Sequence, residues 1–299
     1  MICWVCGSNN MSFYRSGEAN ISAADLQITD SRYGQTLPMS KCTVCGFLQC
    51  DTQNLTELYE QLEDVGYIES SEQRKKQFDF LLKQTLPHIS GFVKGNDFSK
   101  LNVLDIGAGT GLFVKSALEH GLTAQGVEPS TYLANYAISQ GLPVVNSSIP
   151  DYPTNYFDAI YMIDVLEHIA DPSTLLGLYK KILKPGGVFF VTTPDVSSAF
   201  ARFMGSRWWH YRLAHVGYYN KKTLNRIMTR AGFSLKRYMP VWWCFTGEYA
   251  FERLGIYLPI LKGKRCPKII ANLIIPITFW DSILAVYVKS KESCDFQNQ

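Results

Sequence analysis

Val103-Leu104-Asp105-Ile106-Gly107-Ala108-Gly109-Thr110-Gly111 decides the fold of this chain. The stretch reads as the end of a strand running into the start of a helix. Glycines at 107, 109 and 111 allow a sharp turn and let the backbone approach a ligand without Cβ clashes. The next predicted strand closes with Gly126-Val127-Glu128-Pro129-Ser130, where the Glu128 carboxylate can accept both hydroxyls of a ribose lying across the strand ends. Two details set this loop apart from a dinucleotide site. Leu112 stands where a pyrophosphate-binding fingerprint has its last glycine. Asp105 places a carboxylate just before the glycines, where it attracts a cationic ligand and repels pyrophosphate.

Outward from that loop, strands and helices alternate, the signature of a parallel sheet with helices on both faces. Strands are predicted at 101–106, 123–128, 143–145, 157–163, 187–192, 233–240 and 282–289, and helices at about 111–120, 130–140, 172–184 and 220–231. Gly121, Gly141, Gly186-Gly187 and Gly232 fall just past helix ends, where a left-handed cap is wanted, and Asn220 is placed to cap the helix that starts at Lys221. Upstream, Leu55, Leu58, Tyr59 and Leu62, then Phe78, Leu81 and Leu82, recur at helical spacing, and the polar run Lys94-Gly95-Asn96-Asp97 separates them from Leu101. Three units follow: a cysteine-bearing module over 1–52, a helical lead-in over 53–97, and the α/β domain over 98–299.

The sequence resembles the class I S-adenosylmethionine-dependent methyltransferases well beyond the glycine loop. The run Phe157-Asp158-Ala159-Ile160-Tyr161-Met162-Ile163-Asp164-Val165-Leu166-Glu167-His168 is similar to the acidic-hydrophobic-Glu-His loop after that family's fourth strand. Leu183-Lys184-Pro185-Gly186-Gly187, followed by Thr193-Pro194-Asp195, is similar to its fifth-strand approach. The likeness covers about 101–240 and resumes at 282–289, and it is nearest to the branch acting on small molecules, sugars and quinone precursors. It implies a doubly wound, mostly parallel, seven-stranded Rossmann-like α/β sheet with S-adenosylmethionine as cofactor. That molecule carries a sulfonium and an ammonium and no phosphate, which suits the charge around Asp105. By the resemblance, Asp105, Gly107, Ala108, Gly109 and Gly111 bracket its methionine part, and Glu128 holds the ribose. Pro129 and Ser130 lie near the adenine, Ser148 and Ile149 sit against the adenine edge, and Asp164 lines the methionine side. Ser147-Ser148 replaces the glycine-acidic pattern often found there.

Cys3-Trp4-Val5-Cys6-Gly7 and Cys42-Thr43-Val44-Cys45-Gly46 are two C-x-x-C-Gly turns, each able to present two thiolates to one ion. Four sulfurs make a closed tetrahedral zinc site with no position for substrate, so the expected role is structural. The start, Met1-Ile2-Cys3-Trp4-Val5-Cys6, lacks the basic residues and apolar run of a signal peptide, which argues for the cytoplasm and against disulfides. Neither pair opens a helix in a βαβ unit, which argues against a redox role. Cys50, Cys244, Cys266 and Cys294 read as isolated thiols. The zinc-ribbon fusion narrows the resemblance. Ile28-Thr29-Asp30-Ser31-Arg32-Tyr33-Gly34, then Leu58-Tyr59 and Tyr67, resemble bacterial methyltransferases of surface-polysaccharide and related saccharide pathways. Sugar C-methyltransferases of deoxysugar biosynthesis are also similar, but they usually carry a further C-terminal domain for which this sequence has no length left.

A methyl acceptor that is a hydroxyl or an activated carbon needs a base. The D/N/S-P-P-Y/F/W tetrapeptide of amino-group methyltransferases is absent after the fourth strand, and Asp164 stands there instead, favouring oxygen or carbon acceptors. The run Trp208-Trp209-His210-Tyr211-Arg212-Leu213-Ala214-His215-Val216-Gly217-Tyr218-Tyr219 lies where this fold usually builds its substrate wall. The family's histidine before an aromatic pair maps onto His215, which is expected to be the base, with His168 second. The competing roles are a packed histidine bonded to backbone for His215 and a loop-fixing one for His168. Trp208 and Trp209 either stack on a sugar or ring, or belong to the core.

Residues 252–280 set Arg253, Lys262, Lys264, Arg265 and Lys268 beside Ile256, Tyr257, Leu258, Ile260 and Leu261, as either a lid over the cleft or a face resting peripherally on the inner, anionic side of a membrane. No stretch reaches the length of a bilayer span. The leading expectation is an O-methyltransferase acting on a saccharide, lipid-linked or free, or another small molecule. The alternatives are an RNA methyltransferase, a sugar C-methyltransferase, and a non-catalytic binding module. A net charge of +3, with only Arg15, Arg32 and Lys41 as cations in the first 50 residues, argues against nucleic acid.

Overall fold

The computed structural model describes residues 1–290 except 19, 30–31, 51–54, 70, 94–96, 150, 249, 252–254, 256–262 and 272. Most of the basic-apolar cluster expected at 252–280 therefore lies outside the described residues, Arg253, Ile256, Tyr257, Leu258, Ile260, Leu261 and Lys262 among them.

The cysteine module contributes three short antiparallel strands, β1 (Met11–Arg15), β2 (Met39–Cys42) and β3 (Leu48–Cys50). The lead-in forms α1 (Leu55–Glu60), α2 (Val65–Glu69) and α3 (Ser71–Thr85). The α/β unit follows as β4 (Asn102–Ile106), α4 (Leu112–Glu119), β5 (Thr123–Glu128), α5 (Thr131–Ser139), β6 (Val144–Asn146) and β7 (Phe157–Ile163). It continues through α6 (Ser173–Ile182), β8 (Leu183–Pro194), α7 (Ala199–Met204), β9 (Gly217–Tyr218), α8 (Lys221–Arg230) and β10 (Phe233–Pro240). A two-stranded ribbon of β11 (Trp243–Thr246) and β12 (Ile274–Ile277) precedes β13 (Ser282–Lys289).

Seven strands form the main sheet in the order β10-β13-β8-β7-β4-β5-β6. The block β8-β7-β4-β5-β6 is parallel, and β13 runs antiparallel between β8 and β10. This is the doubly wound, mostly parallel Rossmann-like sheet that the resemblance implied, with helices on both faces as the strand–helix alternation implied. Side chains alternate across it, as a strand dictates. Leu104, Ile106, Ile160, Met162 and Phe189 pack on one face with residues of α6 and α8. Val103, Ala159, Tyr161 and Phe190 pack on the other with residues of α3, α4 and α5. The glycines at 121, 141, 186 and 232 all adopt positive φ. Gly187 does not, because β8 already begins at Leu183: Pro185 lacks the amide a helix needs and pushes Lys184 out of helical geometry.

The sequence held no signal for a second feature. The cysteine module's sheet is four-stranded, β1-β2-β3-β9, and its last strand comes from within the α/β unit, after β8 and α7 in the chain. Leu48 pairs with Tyr218 and Gln49 with Gly217. Cys3, Val5, Cys42 and Phe47 accordingly share one apolar cluster with the sheet residues Leu104 and Ile160.

Candidate active site

The glycine loop turns because the amides of Gly107 and Ala108 both donate to the carbonyl oxygen of Val127, at 2.9 and 3.0 Å, which folds the end of β4 over the end of β5. Gly107, Gly109 and Gly111 take φ of +69°, +53° and +76°, values that side chains with a Cβ rarely adopt. Glu128 is then clasped from both sides: Gly109 N–H donates to Oε2 at 2.7 Å and Ser130 N–H to Oε1 at 2.8 Å. Burial pushes the Glu128 carboxyl up to about 7, against the pull of those two amides. Burial, and then the charge of Glu128, holds Asp105 well above the usual carboxylate range.

A cavity of about 590 Å³ opens over the strand ends. On its floor lie Gly107, Gly109, Glu128 and Pro129. Asp164 closes one side in a left-handed conformation (φ +52°), with Thr192 Oγ1 donating to its Oδ1 at 2.8 Å and its own amide donating back to that hydroxyl at 2.9 Å. Burial lifts Asp164 to about 6, opposed by the Thr192 bond and the Arg74 charge. Across the cavity stand Glu167, His168, His210 and His215. His168 and His215 meet edge to face with ring centroids 4.7 Å apart, and His210 stacks on His215 at 5.9 Å. Burial pushes His168 down to about 4 and His210 to about 3; His215 falls well below its ordinary value through burial and then the two neighbouring imidazoles. All three rings are thus neutral near pH 7. Burial, and then the charge of Asp164, holds the Glu167 carboxyl well above its ordinary range. Three carboxyl groups, those of Glu128, Asp164 and Glu167, line the cavity, with Asp105 buried beneath its floor, and a cation such as the sulfonium and ammonium of S-adenosylmethionine favours their ionised forms. A pyrophosphate would add negative charge to the cavity.

Comparison with known proteins agrees with that chemistry. The family model described as a methyltransferase domain matches residues 72–237, more than half of the chain. The chain belongs to this methyltransferase family. A ubiquinone biosynthesis O-methyltransferase from Caulobacter vibrioides is 33% identical over 105 residues, covering 32% of this chain and 42% of the relative. One of the same name from Escherichia coli is 30% identical over 108 residues, covering 33% of this chain and 45% of the relative. The chain thus spans less than half the length of these curated relatives. A SAM-dependent methyltransferase of known structure from Archaeoglobus fulgidus superimposes with a TM-score of 0.50 at 17% identity, over 76% of this chain and all of the other, which shows a shared fold.

In this methyltransferase domain the predicted site residues separate into two groups. Gly107, Gly109, Glu128, Pro129, Ser148, Asp164, His168 and His215 line one cavity. The others do not face it. Asp105 lies beneath the floor, buried at 4% exposure. Ala108 and Gly111 pack inward: a Cβ on Gly111 would meet Leu142 and Ala137, so its role is to let α5 approach the loop. The Ser130 hydroxyl caps α5 through Leu133 N–H and donates to the carbonyl oxygen of Leu62, which leaves it turned away from an adenine. Ile149 is 57% exposed, off the cavity, because Ser147 bonds both its amide and its carbonyl oxygen in a local turn. Of the tryptophans, Trp208 is core, fully buried with Nε1 donating to Asp281, and Trp209 packs on Phe200 and Phe279. Neither lines the cavity.

Several wall residues were not assigned to the site from the sequence. Tyr59, Tyr67, Arg74 and Gln77 reach the cavity from the lead-in helices, with Arg74 stacked 3.9 Å over Tyr67. Trp243, Cys244 and Phe245 reach it from β11, held by Gln77, which bonds the carbonyl oxygen of Trp242 and the amide of Cys244. Ile28, Thr29 and Tyr33 reach it from the cysteine module. Ile28, Thr29, Tyr33, Tyr59 and Tyr67 stood out beforehand in the segments that resemble saccharide-pathway methyltransferases, and Tyr59 also in an apolar stripe, whereas Arg74, Gln77, Trp243 and Phe245 carried no signal.

The four cysteines converge as their spacing predicted. Their sulfurs all lie within 4.8 Å of one another, with Cys3 to Cys45 and Cys6 to Cys42 at 3.5 Å. Gly7 and Gly46 take φ of +75° and +77°, and each donates its amide to the carbonyl oxygen of the first cysteine of its pair. Zn–S bonds of ~2.3 Å place tetrahedral sulfurs roughly 3.8 Å apart, so these thiols fit zinc. Burial opposes ionisation of Cys42, but the amides of Cys45 and Val44 bring it down to about 7.

Proposed function

We propose that this chain transfers a methyl group from S-adenosylmethionine to a hydroxyl oxygen of a small molecule, with a saccharide, free or lipid-linked, as the leading acceptor class. The observation that carries the reading is a cavity that brings the carboxyl groups of Glu128 and Asp164 to a left-handed glycine loop, with neutral imidazoles across from them. When bound, the cofactor supplies a methyl group on a positively charged sulfur. Glu128, with one oxygen anchored by Gly109 and the other by Ser130, keeps lone pairs for the ribose hydroxyls. Asp164, on the cavity wall, supplies negative potential on the methionine side, and Asp105 lies buried beneath the loop. His215 Nδ1 is buried with no hydrogen-bond partner, so it is the group placed to take the acceptor's proton, with His168 second. Oxygen as the methylated atom is further supported by the names of the curated relatives, which are O-methyltransferases.

Three companion assignments belong to the same proposal. The four thiols hold a structural zinc ion. The chain divides into the zinc module at 1–52, the lead-in at 53–97 and the catalytic domain at 98–299. The segment around Lys264, Arg265 and Lys268, beside Ile269, Leu273 and Trp280 at 85%, 53% and 67% exposure, rests on an anionic membrane surface. Among the described residues no helix is long and apolar enough to cross a membrane.

Calorimetric titration with S-adenosylmethionine and S-adenosylhomocysteine, on wild type, Asp105→Ala and Glu128→Ala, tests the core of the reading. Micromolar binding by the wild type that is lost in both variants supports it. Folded, zinc-loaded protein that binds neither compound refutes it, and a non-catalytic binding module then becomes the better account.

A further inference from the structure

Glu167 and His168 lie in the tight turn after β7, and His215 lies just before β9, more than forty residues further on. Two main-chain bonds bring these elements together: Val216 N–H donates to the carbonyl oxygen of Glu167 at 2.8 Å, and Cys50 N–H donates to that of Val216 at 2.8 Å. The result is a carboxylate and two imidazoles on one wall of the cavity, each offering a ligating atom within 4.8 Å of the others.

Glu167 Oε1 and His215 Nδ1 are buried and make no hydrogen bond. Buried polar atoms are rarely left so, and a bound ion is one partner that satisfies them. The atoms behind them are satisfied in the way that supports metal ligands. Thr193 Oγ1 donates to Glu167 Oε2 at 2.9 Å, and His168 Nδ1 lies 2.9 Å from the carbonyl oxygen of Ala214 and 2.6 Å from the Tyr59 hydroxyl. Such outer contacts orient ligating side chains.

We propose that Glu167, His168 and His215 bind one divalent transition-metal ion on the acceptor side of the cavity, separate from the four-cysteine site. Two histidines and one carboxylate that leave positions open are the donor set of catalytic zinc and non-haem iron. The role of the ion, though not its binding, rests on the O-methyl transfer reading. The open positions take the acceptor's hydroxyl oxygen, which eases loss of its proton to water. That oxygen then bonds the methyl carbon while the carbon–sulfur pair stays on sulfur. With the ion absent, His215 Nδ1 is left to accept the proton directly.

The test uses full-length protein with its cysteine site zinc-loaded, titrated with Mn²⁺ and followed by the electron paramagnetic resonance signal of free Mn²⁺. One Mn²⁺ per chain is expected, with affinity at least tenfold weaker in Glu167→Gln and in His215→Ala. Glu167→Gln keeps the size of the side chain and its Thr193 contact, and S-adenosylhomocysteine binding reports that each variant is folded. Absence of bound Mn²⁺ in protein that still binds S-adenosylhomocysteine overturns the proposal, as does equal binding by the folded variants. Failure of the methyl-transfer reading gives a different result, a protein that binds Mn²⁺ but neither cofactor form.

Discussion

The amide of Cys50 donates to the carbonyl oxygen of Val216 over 2.8 Å, and this bond joins the cysteine module to the acceptor wall of the cavity. Cys50 is the last residue of β3, eight residues beyond Cys42, and Val216 follows His215 directly. The Cys50 thiol also faces the His215 carbonyl oxygen at 3.7 Å. The position of His215 therefore depends on a strand that the cysteine site orders.

Removing zinc is expected to act at that wall first. Cys42→Ser should abolish stoichiometric zinc and lower the melting temperature, each kcal/mol lost shifting it by roughly 2–4 °C in a chain of this size. The KM for the acceptor should rise more than the Kd for S-adenosylhomocysteine, because the module is hydrogen-bonded directly to the acceptor wall through Cys50 and Val216, whereas Glu128 is clasped by Gly109 and Ser130. Metal analysis, thermal melts and calorimetry on the same sample check the pattern. Equal loss of both affinities would contradict it.

Gly109→Ala should weaken S-adenosylhomocysteine binding at least tenfold. Gly109 has φ +53°, and a Cβ there would lie 2.9 Å from Cε1 of Tyr67. The backbone cost alone is about 1–2 kcal/mol. Gly121→Ala provides the contrast: φ is +82°, but nothing lies within 4 Å of the added Cβ, so stability should fall while binding holds.

Cofactor affinity should rise with pH through neutrality. Burial lifts Glu128 from 4.5 to about 7, so the folded, ligand-free protein holds a proton that the unfolded chain has released. The stability this group contributes is fully present below about pH 4.5 and is lost as pH climbs through 7. A positively charged ligand and its ribose hydroxyls favour the ionised form, so S-adenosylmethionine affinity should increase about tenfold from pH 6 to pH 8. Calorimetry at three pH values tests this, and Glu128→Gln should flatten the profile.

His215→Ala should lower kcat by about 10²–10⁴-fold while leaving the Kd for S-adenosylhomocysteine near the wild-type value. The imidazole lines the acceptor side, not the glycine-loop floor. A matching loss of cofactor binding would instead make His215 a packing residue. Single-turnover assays beside calorimetry separate the two.

Much of this molecule was legible from local pattern. Periodicity and glycine placement are properties of neighbouring residues, so the alternating strands, the left-handed positions at 121, 141, 186 and 232, the loop at 107–111 and the two cysteine knuckles could all be read from order alone. Charge pattern also sufficed to favour a cationic nucleoside over a dinucleotide, since Asp105 and Leu112 sit within the loop itself. Which of those residues face the cavity was a different matter. Ser130 and Ile149 lie beside cavity residues in the chain, yet a cap and a local turn direct their side chains elsewhere. Only tertiary packing brought Tyr67 and Arg74 from the lead-in, Tyr33 from the cysteine module and Phe245 from β11 to one wall. It likewise set Glu167 beside His215 and paired Leu48 with Tyr218. Contacts between residues so far apart in the chain leave no period in the sequence. They exist because buried faces and strand edges must be covered, and the partner that covers them is chosen by the whole fold.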